Sequence, residues 1–169
     1  MSMKPSRPKY TLGSEAIAYM EVIWSDLMDR YPEMRPAFFR FDSLSRSKGY
    51  VEVRFAGAHY ESGLRAHDIL IRPDIMNLER WDLIQAIMHC AAHCLNYDRG
   101  IFDTRSRSYH GEDFKICAEE LGLRTFWVDG FGYMTAIGDL RHDSNFKNRM
   151  KKLNSYRPYK LTESEGVCI

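Results

Sequence analysis

The stretch Ile87-Met88-His89-Cys90-Ala91-Ala92-His93-Cys94-Leu95-Asn96 decides how this chain is read. It belongs to a mostly apolar run, Leu78 to Asn96, long enough for a buried helix and free of proline and glycine. On a helix, residues four apart lie one turn apart on the same face, so His89 and His93 project side by side and can hold one metal ion, zinc above all. Two histidines at this spacing also arise in cores, where hydrogen bonds satisfy them. A third candidate, His110, follows after a 16-residue interval in the segment Ser108-Tyr109-His110-Gly111-Glu112-Asp113-Phe114.

Working outward, Thr11 to Arg30 sets Ala16, Ile17, Met20, Ile23, Trp24, Leu27 and Met28 at helical spacings, with Ser14 as N-cap and Tyr31-Pro32 as the stop. Ala37–Phe41 and Tyr50–Phe55 are strand-like and separated by a polar turn, so they predict a hairpin. In the second of these, Val51, Val53 and Phe55 alternate with Glu52 and Arg54, the pattern of a strand with one buried face. His67 to Arg72 predicts a further strand stopped by Pro73, and Gly100 to Tyr109 a polar loop. His110 to Leu121 predicts a helix with Gly122 as its C′ stop, and Arg124 to Tyr133 a last extended segment. The order α-β-β-β-α-α-β predicts an α+β domain with a small sheet.

With 169 residues, 44% of them apolar and 28% charged, the chain suits one folded domain. No apolar run reaches the length of a bilayer span, and Met1 to Tyr10 lacks the apolar stretch of a secretory signal, so the expected compartment is the cytosol. The irregular spacing of Cys90, Cys94, Cys117 and Cys168 does not suit a disulfide framework. Cys94 and Cys117 are expected to be small buried hydrophobes. His59, His67 and His142 lack partners at ligand spacing, so a hydrogen-bonded structural role is expected of them. Net charge is +1 but uneven: residues 1–10 carry +3, residues 141–160 +6, the last nine −2, and the body, 11–140, −6. Basic ends can meet nucleic acid, or merely solubilise the chain and pair with its own acidic surface. Arg149, Lys151, Lys152 and Arg157, near Phe146, Tyr156 and Tyr159, are the candidate nucleic-acid contacts.

The chain resembles the SprT-like, Spartan-type zinc metallopeptidase domains, which carry H-E-x-x-H on a helix and a third histidine ahead of the next helix. The matching residues run from Ala86-Ile87-Met88-His89 through Asp103-Thr104-Arg105-Ser106 to Tyr109-His110-Gly111-Glu112-Asp113-Phe114-Lys115 and Ala118-Glu119-Glu120-Leu121-Gly122-Leu123. It is most similar to SprT-like proteins of actinobacteria and their phages, which share the first helix and an edge strand before the metal helix. The resemblance covers about residues 11 to 125. It implies a zincin-like SprT domain over 11–135, its small sheet packed on an N-terminal helix and the metal-binding helix, between a basic tail, 1–10, and a basic extension, 136–169. It further implies that His89, His93 and His110 bind zinc, and that the partner is DNA or a DNA-associated protein.

One departure matters. The family's catalytic glutamate, which takes a proton from the metal-bound water, is here Cys90. A thiol is shorter, with an ordinary pKa of about 8.5, and near zinc it tends to ligate instead of shuttling protons. Loss of general acid–base catalysis removes roughly 10²- to 10⁴-fold in rate. Adjacent helical residues point about 100° apart, so Cys90 does not share the face of His89 and His93, and an open three-histidine site is expected. Glu112 and Asp113 are the nearby acids that would have to substitute; beside His110 they also read simply as a solvated helix start. Three functions remain open: a zinc-binding pseudopeptidase acting as a binding module, an active metallopeptidase with a substitute base, and a metal-free interaction protein.

Overall fold

The computed structural model describes residues 12–43, 51–59, 62–77, 80–106 and 109–135. The basic ends, with Arg149, Lys151, Lys152 and Arg157, lie outside these residues, as do His142 and Cys168 and the side chain of His59.

The elements are α1 (Leu12–Arg30), β1 (Ala37–Phe41), β2 (Val51–His59), β3 (Arg65–Ile71), a 3-10 turn (Pro73–Asn77), α2 (Arg80–Asp98), β4 (Thr104–Ser106), β5 (Tyr109–His110), α3 (Glu112–Glu120), β6 (Thr125–Val128) and β7 (Gly132–Thr135). This is a mixed α+β fold with two small mixed sheets, in the orders β1-β3-β2 and β4-β5-β7-β6.

The first sheet corrects the expected hairpin. β1 and β2 do not touch as neighbours; β3 lies between them, parallel to β1 and antiparallel to β2. The reason is burial. Ala66 through Ile71 are all buried, which suits a central strand, whereas β1 and β2 are only partly covered. The charged Asp68 is tolerated in β3 because Arg40 of β1 grips it with two hydrogen bonds, Nε to Oδ1 at 2.9 Å and Nη2 to Oδ2 at 3.0 Å. In β2, Val51 and Val53 pack against the core as expected, but Phe55 is exposed, because the register shifts at a bulge between Arg54 and Ala58, where Ala56 takes φ 47°.

α1 begins at Leu12, ahead of Ser14, so Ser14 sits within the helix and is not its cap. Its buried stripe, Ala16, Met20, Ile23, Trp24 and Leu27, forms one wall of the core. α2 is buried around most of its girth, with Leu83, Ile84, Ile87, Met88, Ala91, Ala92, Cys94 and Leu95 in the same core as Ile69 and Ile71 of β3. A helix enclosed on so many sides has rigid side-chain positions, which suits it to carry a site.

His67 reinforces this frame. Fully buried, it accepts the Ala56 N–H through Nδ1 at 3.2 Å, so Nε2 carries the proton that it donates to Asp98 at 2.9 Å. It thus ties the β2 bulge to the end of α2, in the hydrogen-bonded role expected of it.

The second half departs further from expectation. The loop 100–109 contains β4, and His110 belongs to the two-residue strand β5 instead of opening a helix. α3 starts at Glu112, and Gly122 ends it as expected, at φ 92° with the Leu123 N–H returning to the Ala118 carbonyl. The segment 124–133 is a hairpin, β6 antiparallel to β7, turned at Gly130 with φ 84°. No helix among the described residues is long and apolar enough to cross a membrane.

Candidate metal centre

Three imidazoles converge between the two halves of the fold. α2 supplies His89 and His93, and β5 supplies His110, with donor atoms all within 4.8 Å of one another. The ring centroids form a nearly equilateral triangle, 5.0 Å for His89–His93, 4.9 Å for His89–His110 and 5.0 Å for His93–His110. All three lean on one fully buried ring, Phe114, at centroid distances of 4.8, 4.5 and 4.2 Å. Phe114 projects from the first turn of α3, so that helix is the floor of the cluster.

Each histidine is held from behind. His93 Nδ1 donates to Asp103 Oδ2 at 2.9 Å, because an ionised carboxylate only accepts; the neutral ring's lone pair is therefore on Nε2. Asp103 is buried and receives a second hydrogen bond on the same oxygen, from Asn96 Nδ2 at 2.9 Å. Asn96 in turn reaches the Asp113 carbonyl at 3.1 Å, coupling α2 to α3. His89 Nδ1 pairs with Thr135 Oγ1 at 3.0 Å. His110 is placed by backbone: its N–H donates to the Phe131 carbonyl at 3.0 Å, in register with Gly132 of β7.

The electrostatics disfavour protonation of two of the three rings, His89 and His110. Burial, reinforced by His93 and His110, holds His89 well below the ordinary histidine pKa. Burial and then His93 lower His110 to about 4, against weaker pulls from the Tyr133 backbone and Asp103. Neutral imidazoles are what a metal needs, since a protonated ring has no lone pair to give.

The donor set fits a metal ion. His89 Nε2 and His93 Nε2 are 3.3 Å apart, and two ligands about 2.0–2.1 Å from one tetrahedral ion are separated by about that much. The buried Nδ1 of His110 has no well-formed hydrogen bond among the described residues. A carboxylate behind a histidine, as Asp103 stands behind His93, is the usual support of a metal-binding imidazole.

Cys90 is not among the converging groups. It is buried, and burial pushes its thiol up to about 12, so at neutral pH it is an uncharged S–H. Cys94 and Cys117 are likewise buried thiols, raised by desolvation, and Cys117 Sγ donates to the Ala92 carbonyl at 3.4 Å. Glu112 and Asp113 are exposed in the first turn of α3; Glu112 accepts from Lys115 at 2.9 Å.

The ring of supports was not legible as such. Asp103 lies seven residues before His110 in a polar segment, and Thr135 is remote from every histidine in sequence. A lone acid ahead of a third histidine is the signal that points to Asp103; nothing local points to Thr135.

Compared with known proteins, the chain matches no family model, no curated protein and no solved structure.

Proposed function

We propose that this chain is a zinc-binding, SprT-like protein whose peptidase chemistry is impaired and which works as a binding module for DNA or a DNA-associated protein in the cytosol. The observation that carries the reading is the pairing of a supported three-histidine cluster with a neutral, buried thiol, Cys90, next to the first ligand. His89, His93 and His110 would hold the ion, and zinc bound there would supply a Lewis acid for water or a carbonyl oxygen. The surrounding residues serve binding: Asp103 and Thr135 orient two rings, Phe114 packs beneath them, and burial disfavours protonation of His89 and His110. A thiol raised to about 12 neither takes a proton from metal-bound water at neutral pH nor returns one as a carboxylic acid does.

Elemental analysis of the purified full chain, with proteolysis assays on wild type and Cys90→Glu, tests this. About one zinc per chain with little proteolysis by wild type is the expected result. Robust wild-type proteolysis abolished by His89→Ala would make the protein an active peptidase. Absence of zinc, with melting unchanged by chelator, would leave the metal-free interaction protein.

A further inference from the structure

We propose that the cavity beside the histidine cluster is a receptor for one basic side chain, Lys or Arg, of a polypeptide partner. The choice of a polypeptide rests on the function proposed above; the choice of a cation rests on the cavity itself.

The cavity has a volume of about 290 Å³ and opens where the second sheet meets the start of α3. Four aromatic rings wall it: Phe102 after α2, Tyr109 on β5, Trp127 on β6 and Tyr133 on β7. Glu112 and Asp113 supply its charge. It also reaches Asp103, the carboxylate behind His93, so its occupant lies next to the candidate metal centre.

Two of the rings, Phe102 and Trp127, are presented to solvent, while Tyr109 and Tyr133 are half-buried. Phe102 is 85% exposed and Trp127 52% exposed, a large apolar cost for a surface that binds nothing. Trp127 is nevertheless fixed in orientation, edge-on to Tyr133 at 5.2 Å and to Tyr109 at 6.1 Å, with its N–H donated to Asp129 at 2.8 Å. A preset aromatic wall loses little freedom on binding.

The charge selects the occupant. Aromatic faces attract cations, and the carboxylate of Asp113 beside them, unlike that of Glu112, is not neutralised by an ion pair among the described residues and repels phosphate, so a basic side chain is favoured over a nucleic-acid backbone. The chain already shows the pairing once. Lys115 Nζ lies 5.1 Å from the centre of the Tyr133 ring and 2.9 Å from Glu112. That ammonium uses Glu112 and one aromatic face; Asp113, whose side chain makes no hydrogen bond or ion pair among the described residues, is the carboxylate left for a guest.

The test is fluorescence-anisotropy titration of the full chain with labelled hexapeptides identical except for a central Lys, Arg, norleucine or Glu. Lys and Arg peptides are expected to bind about fivefold to tenfold more tightly than norleucine, with Glu weakest. Trp127→Ala and Asp113→Asn should each remove most of that preference while zinc content stays at the wild-type value. Equal binding of all four peptides, or a preference that survives both variants, overturns the proposal. So does oligonucleotide binding lost in Trp127→Ala, or a dimer dissolved by it, because either assigns the cavity another occupant. A preference that emerges only when Arg149, Lys151, Lys152 and Arg157 are all changed to Glu also overturns it, since the chain's own segment is then the guest. Zinc-free protein that still prefers basic peptides through Trp127 supports the cavity and removes the zinc reading; zinc-loaded protein without preference does the reverse.

Discussion

Gly132 lies flat against the backbone of His110. At φ 79° it adopts a conformation that L side chains rarely take, and a Cβ built there would run into the His110 carbonyl oxygen. The third histidine therefore has its position because β7 contributes no side chain at this point.

Gly132→Ala should accordingly cost at least about 1–3 kcal/mol from backbone strain and displace His110, lowering metal affinity with it. Gly130→Ala is the control, with a similar φ of 84° but nothing within 4 Å of the added methyl. Urea unfolding and zinc titration of both variants check this: Gly130→Ala should lose stability with unchanged zinc affinity, Gly132→Ala should lose both.

Asp103→Asn keeps the shape but removes the charge that polarises His93, and Asn96 loses its charged acceptor. Zinc affinity should fall about 10- to 100-fold, measured by competition with a chromophoric chelator. Asp113→Asn, which changes a side chain without such a bond, should leave that affinity where it is.

The metal-free protein should lose stability as pH falls. The imidazoles of His89 and His110 have depressed pKa values in the fold, His110 at about 4, against an ordinary 6.5 in the unfolded chain. The unfolded state thus binds more protons below about 6.5, so the stabilisation is fully present above that pH and disappears as pH drops toward 4. Melting temperatures of chelator-treated protein between pH 7.5 and 4.5 should decline, and His110→Gln should decline less. Zinc affinity should weaken in the same direction, because protons compete for the same lone pairs.

His67→Ala should destabilise the fold by at least about 1.5–3 kcal/mol, through loss of the buried hydrogen-bond donor to Asp98 and of the anchor on Ala56. Arg35, whose backbone N–H donates to Asp98 at 2.8 Å, remains and sets the lower end of that range. Equilibrium denaturation reads the loss. Zinc stoichiometry should be unchanged, since His67 belongs to the first sheet and touches none of the three candidate ligands.

Local patterns carried much of the architecture in the sequence itself. The helical spacing of Ala16, Met20, Ile23, Trp24 and Leu27 predicted α1, the apolar run around His89 and His93 predicted α2, and Gly122 predicted the end of α3, because each is governed by neighbours within a turn or two. The i, i+4 pair His89 and His93 was legible for the same reason. Tertiary structure decided the rest. Strand order depends on which strand is buried most, so β3 displaced the expected β1–β2 hairpin. His110 was placed by a parallel pairing with Gly132 that no local pattern encodes, and Asp103, Thr135 and Phe114 became supports of the cluster only when α2, β7 and α3 were packed together. Periodicity records what a segment does along its own axis, whereas a metal centre is made by side chains meeting across axes, where chain closure and burial set the distances.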